Sequence, residues 1–252
     1  MPGCRLAWCD EFDGAAGAPP DPGTWVPEIG GHGWGNRELQ FYTEGENASL
    51  DGMSNLVIVV QRRQPRAGHD RYGGRQFTSA RLMTSGRVAF RYGVVQARMC
   101  LPGGRGMWPA FWMLGQDLGQ AGWPQCGEID IMENFGQDPR AVQGAVSGPG
   151  YTGASAIAAT CQAGTDLSAG FHVYSVAWEP GRIRWYLDDR HYATVTPGDL
   201  RGHRWVFDHH FFLLVNVAVG GVASVPPDSS TVFPQRMLVD YVRVYAPPGR
   251  PG

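Results

Sequence analysis

Gly127-Glu128-Ile129-Asp130-Ile131-Met132-Glu133-Asn134 is the stretch that decides the fold. Trp123-Pro124 precedes it and Gly136 follows it. Ile129, Ile131 and Met132 give it the character of a strand, so three carboxylates lie inside an apolar β segment. Side chains alternate across a strand, which puts Glu128 and Asp130 on one face and Glu133 out of phase. A bulge near Ile131-Met132 sets two residues opposite one and brings Glu133 back to that face. With about 3.3 Å per residue, the carboxyls of Glu128 and Glu133 can lean to within about 5–5.5 Å, the separation of a retaining glycosidase. A solvated face or a calcium site is the plainer alternative.

Outward from this strand the chain is rich in aromatics. Trp108 and Trp112 share one face of Met107–Leu114 with Ala110 between them, and Trp123 stands just before the acids. An indole presents a broad apolar face to the C–H face of a sugar, so tryptophans beside carboxylates read as a glycan platform. Core packing is the alternative for any one of them. Trp112 and Trp123 are the expected cleft residues, and Trp108 stays open. Phe211–Val219 is a buried strand interrupted by polar Asn216, which reads as a cleft ligand. In Phe77–Thr84, Phe77, Ser79, Arg81 and Met83 fall on one face, and Arg81 among them suggests an oriented guanidinium. Arg87 to Phe90 and Val94 to Leu101 read as a hairpin around Tyr92-Gly93. Phe171 to Trp178, Arg182 to Leu187 and His191 to Val195 read as an antiparallel meander with a turn at Asp188-Asp189.

The match extends over most of the chain. Trp34-Gly35-Asn36, Leu101-Pro102, Trp108 to Gly115, the acid strand, Phe171 to Glu179, Asn216 to Gly221 and Val239 to Tyr245 occur in the order found in glycoside hydrolase family 16. The acid strand resembles the longer, bulged form of its laminarinase-like endo-β-1,3-glucanases. The resemblance implies an all-β jelly-roll sandwich of two antiparallel sheets with an open substrate cleft. It implies retaining endo-hydrolysis of β-1,3 bonds in β-glucans, with Glu128 as nucleophile, Glu133 as acid and base, and Asp130 between them. Asn36, Arg81, Trp112, Trp123 and Asn216 would bind substrate. No cofactor is implied for catalysis. A structural calcium is, through Asp240 with backbone oxygens of Glu11 and Gly52. A non-catalytic β-glucan-binding protein and a same-fold hydrolase of mixed-linkage glucan or a galactan are the alternatives. Three departures stand out: Gln96 where relatives carry Glu, Ser147 where they carry His, and Val222-Ala223-Ser224-Val225-Pro226 where they carry Trp-Pro-Gly.

Composition agrees with many strands and turns: 36 glycines, 19 prolines and 12% aromatic residues in 252 positions. The formal charge is −2, and all 21 basic residues are arginine. That charge gives no reason to expect nucleic acid as a partner. No apolar run of the ~18 residues needed for a membrane-spanning helix occurs. No repeat or linker divides the chain, so one domain over 1–252, with a core at about 5–246, is expected, acting as a monomer. Met1 to Cys4 opens without a signal-peptide pattern. Polymeric glucans lie outside cells, so an extracellular location, with the leader removed, is the expectation. The five cysteines, Cys4, Cys9, Cys100, Cys126 and Cys161, are odd in number, so at least one is free. Cys126 reads as a small buried hydrophobe.

Overall fold

A computed structural model describes residues 5–64 and 70–246. In chain order the strands are β1 (Arg5–Asp10), β2 (Val26–Pro27), β3 (Gln40–Tyr42), β4 (Ala48–Leu50), β5 (Leu56–Arg62) and β6 (Phe77–Ser79). Next come β7 (Arg81–Met83), β8 (Gly93–Cys100), β9 (Met107–Gly115), β10 (Glu128–Glu133), β11 (Ala141–Ser147) and β12 (Ile157–Gln162). The last are β13 (His172–Glu179), β14 (Arg182–Leu187), β15 (Arg190–Val195), β16 (Phe211–Val219) and β17 (Gln235–Ala246). A one-turn helix, α1 (Leu118–Ala121), precedes Trp123.

These strands form two sheets, the sandwich expected. One has ten strands along the path β15-β14-β13-β8-β17-β5-β6-β3, with β1 beside β17 and β4 beside β5. The other has seven, in the order β12-β11-β10-β9-β16-β7-β2. Pairing is antiparallel except between the short β3 and β6. The alternation in the sequence explains the layers. Val95, Ala97 and Met99 of β8 and Val239, Val242 and Val244 of β17 meet Ile129, Phe111, Met113, Leu213 and Val215 of the facing sheet in one buried cluster. Such interdigitated inner faces supply most of the driving force for a sandwich.

The β13–β14–β15 meander runs as read, and its turn at Asp188-Asp189 has both residues at positive φ (47° and 66°). Short polar side chains tolerate that left-handed pair, the geometry of a two-residue hairpin turn. Two local readings are corrected. Phe77–Thr84 is not one strand: β6 lies in the ten-stranded sheet and β7 in the seven-stranded one. Ser79 and Arg81 therefore share no face. The Arg87–Leu101 hairpin also fails to form, because Phe90 bridges to Phe211 while β8 pairs with β13 and β17. Cys126 is fully buried as expected, and Cys9, Cys100, Cys126 and Cys161 are free thiols; Cys4 lies outside the described residues.

Candidate active site

Strand β10 pairs with β9 on one side and β11 on the other, and its register slips on both sides between Asp130 and Glu133. The slip is the bulge that the three-acid pattern requires. Ile129, Ile131 and Met132 all enter the core. Glu128, Asp130 and Glu133 are left together on the outer face, opposite Leu114, Trp112 and Ala110 of β9 and Ser147, Ala145 and Gln143 of β11. A bulge also interrupts ladder hydrogen bonding. Trp185 of the other sheet reaches through the core, and its Nε1 donates to the Asp130 carbonyl at 2.8 Å. Gly144 makes room for this, since a Cβ there would collide with the Trp185 ring.

Each outer glutamate has its own indole donor. Trp123 Nε1 donates to Glu128 Oε2 at 3.2 Å, and Trp108 Nε1 donates to Glu133 Oε1 at 2.9 Å. Gln143 Nε2 adds a longer bond to Glu133 Oε2, at 3.4 Å. The Ser147 hydroxyl also bonds to Glu128. Burial and the Glu133 charge push the Glu128 carboxyl up to about 7, against the pull of Ser147, Trp123 and Arg81. Burial raises Glu133 too, while Trp108 and Gln143 pull it down. Asp130 lies far above the usual range because it is buried and both glutamate charges act on it. Like charges this crowded cannot all ionise, so the cluster keeps a proton near neutrality.

The platform is built from β9 and its neighbours. Trp112 is half-buried beside Asp130, and the Arg81 guanidinium sits between the rings of Trp34 and Trp112, at 4.6 and 4.8 Å from their centroids. The Arg81 Nε–H also pairs with the Glu28 carboxylate. Trp123, half-exposed, stands over Glu128. Phe212, Leu214, Leu114 and Cys126 form a second apolar cluster on this face, covered by Met83, Ala89 and Leu118.

Sequence reading placed Glu128, Asp130, Glu133, Arg81, Trp112 and Trp123 on one surface, and the structure brings them together there. Asn36 is half-buried on the rim. Asn216 lies on the same face, in register with Ala110 and Arg81. Its Oδ1 accepts from Trp112 Nε1 at 2.8 Å and its Nδ2 donates to the Tyr42 hydroxyl at 3.2 Å, so its amide is tied to the platform and the residue is buried there. Trp108, left open, holds Glu133. Glu38 was missed: it is 3% exposed and bonded to Asn36, Gln40 and Tyr42. Gln96 cannot tune the acids, because it lies on the outer face of the ten-stranded sheet, alternating with buried Val95 and Ala97 and bonded to Tyr241.

Of the expected calcium ligands only Asp240 would offer a side chain, and its carboxylate is paired with Arg98 at 2.6 Å. Glu11 and Gly52 would each offer a backbone oxygen. Among the described residues no group of three or more His, Cys, Asp or Glu side chains is placed to hold a metal ion.

The profile of the family described as glycosyl hydrolases family 16 matches residues 35–231. The chain belongs to glycosyl hydrolase family 16. Within it, a β-glucanase of Rhodothermus marinus is 42% identical over 97% of this chain and 86% of its own length. The laminarinase catalytic domain of Thermotoga maritima superposes with a TM-score of 0.89 at 45% identity, over 96% of this chain and 98% of that one. The endo-β-1,3-glucanase of Pyrococcus furiosus gives 0.90 at 42% identity, over 96% and 94%.

Proposed function

We propose that this family 16 hydrolase cleaves internal β-1,3-glucosidic bonds of β-glucans with retention of configuration. The observation that carries the reading is the bulge, which puts Glu128 and Glu133 on one face with Asp130 between them and an indole N–H on each. The laminarinases and endo-β-1,3-glucanases to which the chain is similar support the choice of substrate.

In this reading Glu128 attacks the anomeric carbon while Glu133 protonates the departing glycosidic oxygen, giving a glycosyl ester on Glu128. Glu133, now ionised, takes a proton from water, and that water releases the sugar with the β configuration restored. Asp130 shares the outer face with both and holds the cluster's proton until Glu133 needs it. Trp112 and Trp123 offer apolar faces to sugar rings on either side of the acids, and Arg81 is fixed between Trp34 and Trp112 to donate to hydroxyls. The two glutamates supply both the nucleophile and the proton, so the reaction draws on no cofactor. The polymer is the partner, met outside the cell by a single chain.

The test is product analysis on laminarin, lichenan, curdlan and agarose side by side, with proton NMR of the first reducing ends. Oligosaccharides from laminarin, born as the β anomer, are expected. An α anomer at first release rejects the retaining mechanism, and activity confined to agarose rejects the substrate.

A further inference from the structure

The Glu38 carboxyl is buried on the rim side of the platform and surrounded by donors. Asn36 Nδ2 donates to its Oε1 at 3.2 Å; Gln40 Nε2 and the Tyr42 hydroxyl donate to its Oε2 at 2.6 and 3.1 Å. From Tyr42 the chain continues: the hydroxyl accepts from Asn216 Nδ2 at 3.2 Å, and Asn216 Oδ1 accepts from Trp112 Nε1 at 2.8 Å. Every bond in the series Trp112, Asn216, Tyr42 runs toward Glu38, and Asn36 runs toward it from the other side. An ionised carboxylate only accepts, so it sets the sense of every amide in the series. Gln40 anchors the arrangement, since its Oε1 accepts from the Val219 N–H at the end of β16 at 2.7 Å.

Asn36 stands close to the acids. A Cβ built at Gly221 would lie 3.0 Å from both the Asn36 carbonyl oxygen and the Trp108 ring, and Trp108 holds Glu133. The Val222 N–H, in the loop that departs from the family pattern, donates to the Asn36 carbonyl at 2.7 Å. The Asn36 side chain is half-buried, with its Nδ2 turned in to Glu38. With Nδ2 committed to Glu38, Oδ1 is the amide atom that this carboxylate does not engage.

We propose that Glu38 is a positioning residue that fixes Asn36 as a hydrogen-bond acceptor for a sugar hydroxyl and holds the Trp112 indole in its plane through Tyr42 and Asn216. It acts on substrate binding through these two groups and takes no part in bond breaking. The proposal rests on the glucanase reading for the identity of the ligand, but the amide orientation it asserts exists without substrate.

Glu38→Gln is the decisive substitution. The introduced amide would keep its oxygen toward Gln40 and Tyr42 and turn its NH2 toward Asn36. Asn36 must then flip to accept, and its own NH2 would face the cleft. An acceptor becomes a donor with almost no change of volume. The expected result is a KM for β-1,3-linked glucotetraose raised about tenfold, equivalent to about 1.4 kcal/mol, with kcat and both limbs of the pH profile unmoved. The double variant Glu38→Gln/Asn36→Asp lets the introduced amide donate to the introduced carboxylate and returns an acceptor to the cleft, so it should recover most of the lost KM. Amide NMR of the substrate-free protein gives a reading independent of turnover. The Asn36 NH2 resonances, identified by their loss in Asn36→Asp, should include one slowly exchanging proton in the wild type and none in Glu38→Gln. An unchanged KM, a double variant no better than the single, or a fall in kcat with a shifted pH limb overturns the proposal. So do Asn36 amide protons that exchange alike in both proteins, whether or not the Glu38→Gln variant binds sugar. Failure of the wild type to cleave any β-glucan overturns the function instead.

Discussion

The two ends of the acid strand hold their glutamates differently. Glu133 sits beneath Trp108, which is only 8% exposed, and has a second donor in Gln143. Glu128 is held by Trp123, which is 49% exposed, and by the hydroxyl of Ser147. Both glutamates are partly exposed, but one is held by a buried indole and the other by an exposed one. In the proposed mechanism Glu133 must give up and regain its proton at one atom, which gains from fixed geometry. Glu128, as the proposed nucleophile, must be reached by a sugar and needs an open side. The difference follows from strand position. Trp108 projects from within β9, whereas Trp123 projects from the connection after α1.

The largest expected effect removes either carboxylate. Glu128→Gln should lower the rate on laminarin on the order of 10⁴-fold or more, and near-normal cleavage would sink its role as nucleophile. Glu133→Gln should be as damaging on laminarin yet retain activity on aryl glucosides whose leaving groups need no proton. If both variants lose aryl glucosides alike, the two ends do not differ in role. Glu128→Gln should also stabilise the fold. Folded Glu128 titrates near 7, above the ~4.3 of an unfolded glutamate, so folding favours its protonated form. Its contribution to stability is fully present below about 4.3 and is lost as pH rises through about 7. The melting temperature of Glu128→Gln should therefore exceed that of the wild type at pH 8, with the gap closing by pH 4. An equal gap at both pH values would refute the titration.

Next in size is the tie behind the bulge. Trp185→Phe leaves the Asp130 carbonyl without its indole partner and opens a small void, for about 1–3 kcal/mol of lost stability by chemical unfolding. A loss under about 0.3 kcal/mol would show that the bulge holds without it.

Smaller effects separate the two indoles. Trp108→Phe removes a bond that favours ionised Glu133, so the basic limb of the pH–rate profile should move upward by less than about one pH unit. Trp123→Phe removes a bond that favours ionised Glu128, so the acidic limb should move upward and narrow the active range. Shifts of the same limb in both variants would erase the distinction between the ends. The smallest effect is expected from Ser147→Ala, a displacement of the acidic limb by a few tenths of a unit in the direction of Trp123→Phe.

Much of this was legible in the chain itself. Alternation placed Glu128 and Asp130 together, and three acids around Ile131-Met132 demanded the bulge that brings Glu133 to them. An apolar run interrupted only by Asn216 marked Phe211–Val219 as a buried strand, and turn residues placed the meander around Asp188-Asp189. These are local facts, set by side-chain period and by residues that tolerate positive φ. Alternation says which side chains share a face, but not which sheet the strand joins. That is why Phe77–Thr84 read as one strand, although the chain passes from one sheet to the other at Ala80, and why Phe90 was assigned a hairpin partner rather than Phe211. For the same reason alternation could not tell that Gln96 lies on the far side of the sandwich from the acids. Hydrogen-bond direction is further from reach, because it depends on partners distant in the chain. Trp112 and Asn216 are 104 residues apart, and Asn216 and Tyr42 are 174. The sequence by itself determined the acid-bearing strand and the residue types around it. Only the packing of two sheets decided which glutamate each indole holds, and which way the amides of Asn36 and Asn216 face.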